Sequence, residues 1–198
     1  MVHPFQCLCG TLRGEVHEPR RAMRAVCYCR DCRTYAHWLG KPQQVVDALG
    51  GTDIVATHAR YVRLTAGATS LACMSLSPRG LLRWYASCCH TPVANTPRGW
   101  KLPYVGLVHT GLARVQPLET SFPPVQMDIN IGSALGPTPK RGGPMAMAKF
   151  GGMVLGFSMA RLTGGYRSTP FFDQEGRPVA PVKVPPLVEV QAARQAAR

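Results

Sequence analysis

Over the first 110 residues the apolar positions come in short runs broken by polar turns, the signature of strands rather than long helices. Thr11 to Val16 alternates weakly. Met23 to Val26, Asp53 to Thr57, Tyr61 to Leu64, Leu71 to Leu76, Leu81 to Ser87 and Tyr104 to His109 are rich in β-branched, aromatic or other apolar residues. Gly50-Gly51, Gly67 and Pro78-Arg79-Gly80 punctuate them. Cys29 to Trp38 reads as a short helix with its aromatic side inward. Past Pro117 the pattern changes. Pro117 to Pro144 is rich in Pro and Gly and reads as an extended connection. Met145 to Arg161 is apolar, with Met147, Phe150, Val154 and Phe157 at helical spacing. Pro178 to Pro186 reads as extended, and Gln191 to Arg198 as a frayed end. These patterns predict a mainly β domain over residues 1–115. They also predict an extension over 116–198 that contains one helix, at about 145–161, and an extended tail.

Composition narrows the class. Hydrophobic residues make up 45% of 198, enough for a sizeable core. Met1-Val2-His3-Pro4 leads straight to Cys7 with no basic and apolar leader, so the expectation is a cytoplasmic protein with reduced thiols. The formal charge is +13, but the basic residues are spread along the chain and do not interleave with aromatics in one run. That argues against nucleic acid as the partner, with a zinc ribbon that binds DNA or RNA as the weaker rival. The 145–161 segment carries Lys149 and internal glycines and is too short for a transmembrane span. Packing on the domain or on a partner is the default for it. Its basic flanks, Lys140, Arg141, Arg161 and Arg167, leave membrane-surface contact as an alternative. A homo-oligomer is compatible with the sequence.

The chemistry lies in cysteine. Cys27, Cys29 and Cys32 fall within six residues as C-x-C-x-x-C. Three crowded thiolates repel one another unless a cation joins them, and zinc accepts sulfur at about 2.3 Å in a tetrahedral shell. Three sulfurs leave one corner open, as a catalytic zinc requires. His37 could close that shell, although nothing in its spacing demands it. Cys7 and Cys9 form a C-x-C before Gly10, and Cys88-Cys89-His90 ends a strand. Cys7, Cys9, Cys88 and Cys89 together would close a four-thiolate site across two distant segments, and such a clip supplies folding energy. Two loaded zincs would leave the net charge near about +10, still strongly basic. Arg20, Arg21, Arg24, Arg30 and Arg33 lie close to the trio in sequence. They could offset thiolate charge or receive an anionic ligand, Arg30 and Arg33 being the nearest. Cys73, alone in an apolar strand, reads as a core residue.

Phe5-Gln6-Cys7-Leu8-Cys9-Gly10, Cys27-Tyr28-Cys29-Arg30-Asp31-Cys32 and Cys89-His90-Thr91-Pro92-Val93, in that order, resemble the glutathione-dependent formaldehyde-activating enzyme family over roughly residues 5–110. The tract Leu81 to Asn95 is similar to a bacterial branch of it. The resemblance implies an Mss4-like β-tent of small antiparallel sheets clipped by zinc. It implies a structural zinc on the outer thiol pairs and a second zinc on Cys27, Cys29 and Cys32 near the substrate. The family's C-x-x-C-G is altered here. Its earlier cysteine would fall at Ala86, with Cys88 as the substitute, and its glycine is His90. Cys88, Cys89 and His90 are therefore all candidates to complete the structural site.

Two functions follow as expectations. One is a zinc-dependent carbon–sulfur lyase acting on a thiol–aldehyde adduct, with glutathione as the cosubstrate. The other is a non-catalytic zinc scaffold whose basic, apolar extension binds a partner. The resemblance favours the first, and the long segment after Gly111, which has no counterpart in the family, favours the second.

Overall fold

A computed structural model describes residues 1–198. In chain order the strands are β1 (Val2–Gln6), β2 (Arg13–His17), β3 (Met23–Cys27), β4 (Thr52–His58), β5 (Val62–Ala66), β6 (Leu71–Met74), β7 (Leu82–Ala86), β8 (Thr91–Thr96), β9 (Tyr104–Val108), β10 (Met127–Ile129) and β11 (Val182–Lys183). The helices are α1 (Arg30–Trp38), α2 (Pro42–Val45), α3 (His109–Leu112), α4 (Pro144–Leu162) and α5 (Leu187–Ala196). The protein is mainly β. β1, β2 and β5 form a three-stranded sheet, and the other eight strands form one sheet in the order β10-β3-β4-β9-β8-β7-β6-β11.

The strands assigned from pattern are present with ends moved by a residue or two, the usual fraying of such boundaries. β3, β7 and β8 are buried along their whole length. That is why β3 and β7 run largely apolar instead of alternating. The main core lies between the sheets, with Trp84, Leu12, Val16, Val55, Leu107 and Phe171 at 0–1% exposure. Each such side chain contributes roughly 2 kcal/mol of transfer free energy. Trp84 satisfies its one polar atom by donating from Nε1 to Thr96 Oγ1 at 2.9 Å.

The structure corrects three expectations. The sheets are not all small and antiparallel: the eight-stranded one gains β10 and β11 at its edges, each paired in parallel. The extension after residue 115 packs into the β domain that it follows. It supplies both edge strands, and Phe171, Phe172 and Ala180 sit in the main core. It also holds two helices instead of one. α5 occupies the tract expected to fray, and Val190, 2% exposed, packs with Tyr35, Leu39 and Met74. A ten-residue helix is marginal alone, so docking against α1 is what holds it. No helix is long and apolar enough to cross a membrane.

Candidate metal centres

Two hairpin turns build the first cluster. After β1 the chain turns at Cys7-Leu8-Cys9-Gly10. Gly10 takes φ +76°, and its N–H donates to Cys7 O at 2.9 Å. The Leu12 N–H donates to Cys7 Sγ at 3.3 Å, orienting that sulfur. Between β7 and β8 the chain turns at Cys88-Cys89-His90, where the His90 N–H donates to Ala86 O at 2.8 Å. His90 itself sits at φ +56°, the left-handed region that glycine enters freely. The two turns are tied by Leu8 N–H donating to Thr91 Oγ1 at 2.9 Å.

The sulfurs converge. Cys7 to Cys9 is 3.5 Å, Cys7 to Cys88 3.8 Å, Cys9 to Cys88 3.2 Å and Cys88 to Cys89 3.9 Å. Four sulfurs bound tetrahedrally at about 2.3 Å would lie about 3.8 Å apart. The four side chains therefore fit one divalent ion, and Cys88 and Cys89 both take part despite being adjacent. His90 is not in the group; its ring sits edge-on to Tyr85 at 6.0 Å. Hydrogen bonds with Thr11 hold the Cys9 thiol down to about 6, while burial and the neighbouring sulfurs push Cys88 up to about 12.

The second cluster comes from one stretch. β3 delivers Cys27, and Cys29 caps the N-terminus of α1, its Sγ accepting from Cys32 N–H at 3.3 Å. One helical turn then carries Cys32 Sγ to 3.9 Å from Cys27 Sγ. Cys27, Cys29 and Cys32 form a group that could hold a metal ion, and no histidine, carboxylate or further thiol joins it. His37 lies outside. Hydrogen bonds from Cys29, Cys32 and Asn130 draw the Cys27 thiol far below its ordinary range. The same contacts, seen from the donor side, raise Cys29 and Cys32.

Two residues beside the trio were not anticipated from sequence. Arg83, 3% exposed, places Nη1 3.9 Å from Cys32 Sγ and donates to Asn95 Oδ1 at 3.1 Å. A cation inside the apolar run Leu81 to Tyr85 was the available signal, since a buried charge needs a partner. Asn130 Nδ2 donates to Cys27 Sγ at 3.4 Å, and the parallel pairing of Ile129 with Cys27 puts it there. Nothing in the local sequence announces that pairing.

The arginines divide. Arg33 is 4% exposed, and its guanidinium donates to Ala197 O, Tyr28 O and Ser133 O at 3.0, 3.2 and 2.6 Å. It is chiefly a structural clamp between α1 and the C-terminal segments. Arg24 is committed to Asp53 and Glu119 at 2.7 and 2.9 Å. Arg30 is exposed on the rim of a cleft of about 630 Å³ lined also by Arg33, Thr34 and Arg194, with Asp31 as its only acidic side chain. Cys73 is buried in the main core, where its apolar surroundings push its thiol up to about 12.

Comparison with curated proteins gives no match. A crystal structure of a Rhodobacter sphaeroides protein, a structural-genomics target, aligns with 59% of this chain and 94% of its own at 20% identity and a TM-score of 0.41. A likeness at that score carries no functional argument. The model of a "Family of unknown function (DUF6151)" matches residues 1–183.

Proposed function

This chain belongs to the DUF6151 family, and we propose that it is a zinc protein with one closed and one open thiolate site, the open one joining or parting a thiol and an aldehyde. The observation that carries this reading is the incomplete trio. Three sulfurs from one short stretch stand together without a fourth protein ligand, and Arg30, the residue after Cys29 in the chain, lies on the rim of a cleft.

In this reading Cys7, Cys9, Cys88 and Cys89 hold a structural zinc that clips the β1–β2 and β7–β8 turns, in keeping with a β-tent. Cys27, Cys29 and Cys32 hold the second. Zinc bound there would lower the pKa of a coordinated thiol. Arg83 and Asn130 fix the orientation of Cys32 and Cys27, and Arg30 supplies a cation for a carboxylate of an acidic thiol such as glutathione. In the forward reaction a sulfur–carbon bond forms at the aldehyde carbon, the carbonyl π pair moves to oxygen, and the thiol proton ends there, giving a hemithioacetal. The reverse parts the same bond and returns the proton to sulfur.

The test measures zinc per chain and the rate of adduct formation from glutathione and formaldehyde. Two zincs, with a rate that Cys29→Ser abolishes, are expected. A rate no higher than the uncatalysed one, together with no glutathione binding, eliminates the enzyme. A non-catalytic scaffold is the second reading, favoured by the exposed apolar surface of α4. Partner capture that depends on residues 140–170 but not on Cys29 would select it.

A further inference from the structure

Helix α4 uses little of itself to pack. Of its 19 residues, Ala146, Phe157 and Ala160 are buried. Met145, Met147, Val154, Leu155, Met159 and Leu162 remain 44–87% exposed. A Cβ added at Gly151 would meet nothing within 4 Å, and Gly152 and Gly156 open onto a cavity. Contiguous apolar surface of this kind marks an interaction site.

Charge says what kind. No Asp or Glu occurs between Asp128 and Asp173, whereas Lys140, Lys149, Arg161 and Arg167 do, besides Arg141, which is paired with Asp128 at 2.9 Å. Beside α4 lies a cavity of about 360 Å³ whose walls include Arg21, His58, Arg60, Tyr61, Lys149 and Phe157 and no carboxylate. Arg21 is partly satisfied by Glu18 at 3.1 Å. His58 is 6% exposed, and its Nδ1 accepts from Arg60 N–H at 3.1 Å. The ring proton is therefore on Nε2, which is buried and has no partner. An unpaired buried donor is costly, and the His58 residue that carries it forms part of the wall of this cavity. Burial, and then the Arg60 charge, push His58 down to about 4, so it donates as the neutral ring.

We propose that this face docks on a bilayer containing anionic phospholipid, with the apolar side chains of α4 entering the headgroup boundary and a lipid phosphate seated between Lys149 and Arg60 in the cavity beside His58. Because no helix can cross the bilayer, α4 lies in its surface. The cations supply long-range attraction, the exposed methionines and leucines the burial, and the cavity the preference for phosphate.

The zinc-loaded full chain is sedimented with vesicles of phosphatidylcholine alone or mixed with phosphatidylglycerol. Binding is expected to the mixed vesicles and to weaken with salt. Lys149→Glu is expected to reduce it more than about fivefold, and Leu155→Glu with Met159→Glu more than about tenfold. Zinc content and melting temperature should not change, since all three side chains lie outside the core. Three results overturn the proposal. One is equal partitioning of the wild type and the variants. Another is self-association abolished by Leu155→Glu without any vesicle binding, which assigns the face to a second copy. The third is saturable binding of glycerol phosphate without vesicle binding, which assigns the cavity to a free phosphate ester.

Discussion

The two thiol clusters reach similar sulfur spacings by opposite routes. Cys7 and Cys9 meet Cys88 and Cys89 from turns about eighty residues apart in sequence, and Cys9 and Cys88 are exposed. Cys27, Cys29 and Cys32 come from one strand end and one helical turn, and Cys27 and Cys32 are buried. A cation in the first would close a long loop and tie two sheets, so its binding energy would be folding energy. A cation in the second would close almost nothing that β3 and α1 do not already hold. It would instead meet a preformed, electropositive surround of Arg83 and Asn130. The two clusters, the proposed clip and the proposed reaction site, thus differ in loop length and in the count of sulfurs.

The largest expected effect is on the clip. Cys7→Ser should lower stability by about 4 kcal/mol or more, and a chelator should act on the wild type in the same direction. Thermal melts followed by circular dichroism measure both, and an unchanged midpoint would erase the distinction between the clusters. Arg33→Met comes next, at about 3 kcal/mol, because it orphans three carbonyls that a guanidinium now satisfies. Arg30→Met, one turn away and exposed, should cost less than about 0.5 kcal/mol while weakening glutathione binding. Equal losses for the two would mean that Arg30 is also structural.

Acid should act on the metal-free chain as well. The folded His58 titrates at about 4, below its unfolded value of 6.5. Below pH 6.5 the unfolded chain therefore takes up a proton that the folded one refuses. Stability should fall on the order of 2 kcal/mol as the pH drops from 6.5 to 4 and level off below. His58→Phe should flatten that part of the profile in urea titrations, leaving ligand protonation as the acid response of the loaded protein. Cys29→Ser should cost only about 1 kcal/mol yet remove one zinc per chain by atomic absorption. A loss as large as that of Cys7→Ser would make the trio a second clip. The smallest effect is a gain: His90→Gly should stabilise the β7–β8 turn by about 0.5 kcal/mol, since His90 holds a left-handed φ of +56°.

The strands β2 to β7, the strand β9 and the helix α1 were legible in the chain because local runs of apolar residues and turn-formers decide them. So were the seven clustered cysteines, because thiols grouped at C-x-C and C-x-x-C spacing have few other uses in a reduced protein. α4 was legible too, from its apolar period. β1, β8, β10, β11 and α5 were not, the last three for one reason. Two strands of two or three residues and a ten-residue helix carry too little local signal, and they exist because an existing sheet edge or helix face waits for them. The same holds for the division of labour among the arginines. Arg30 and Arg33 are near neighbours in sequence and line one cleft, yet Arg30 is exposed and Arg33 is buried and locked onto carbonyls from residues 28, 133 and 197.

By itself, then, the sequence determined the β-rich class and which atoms could bind metal, since period and spacing are local properties. Only the tertiary structure decided which sulfurs meet, that His90 stays outside, that Arg83 and Asn130 guard the trio and that α4 is left uncovered. Those outcomes depend on which distant segments pair, and a pairing between residues a hundred apart leaves no mark on either one alone.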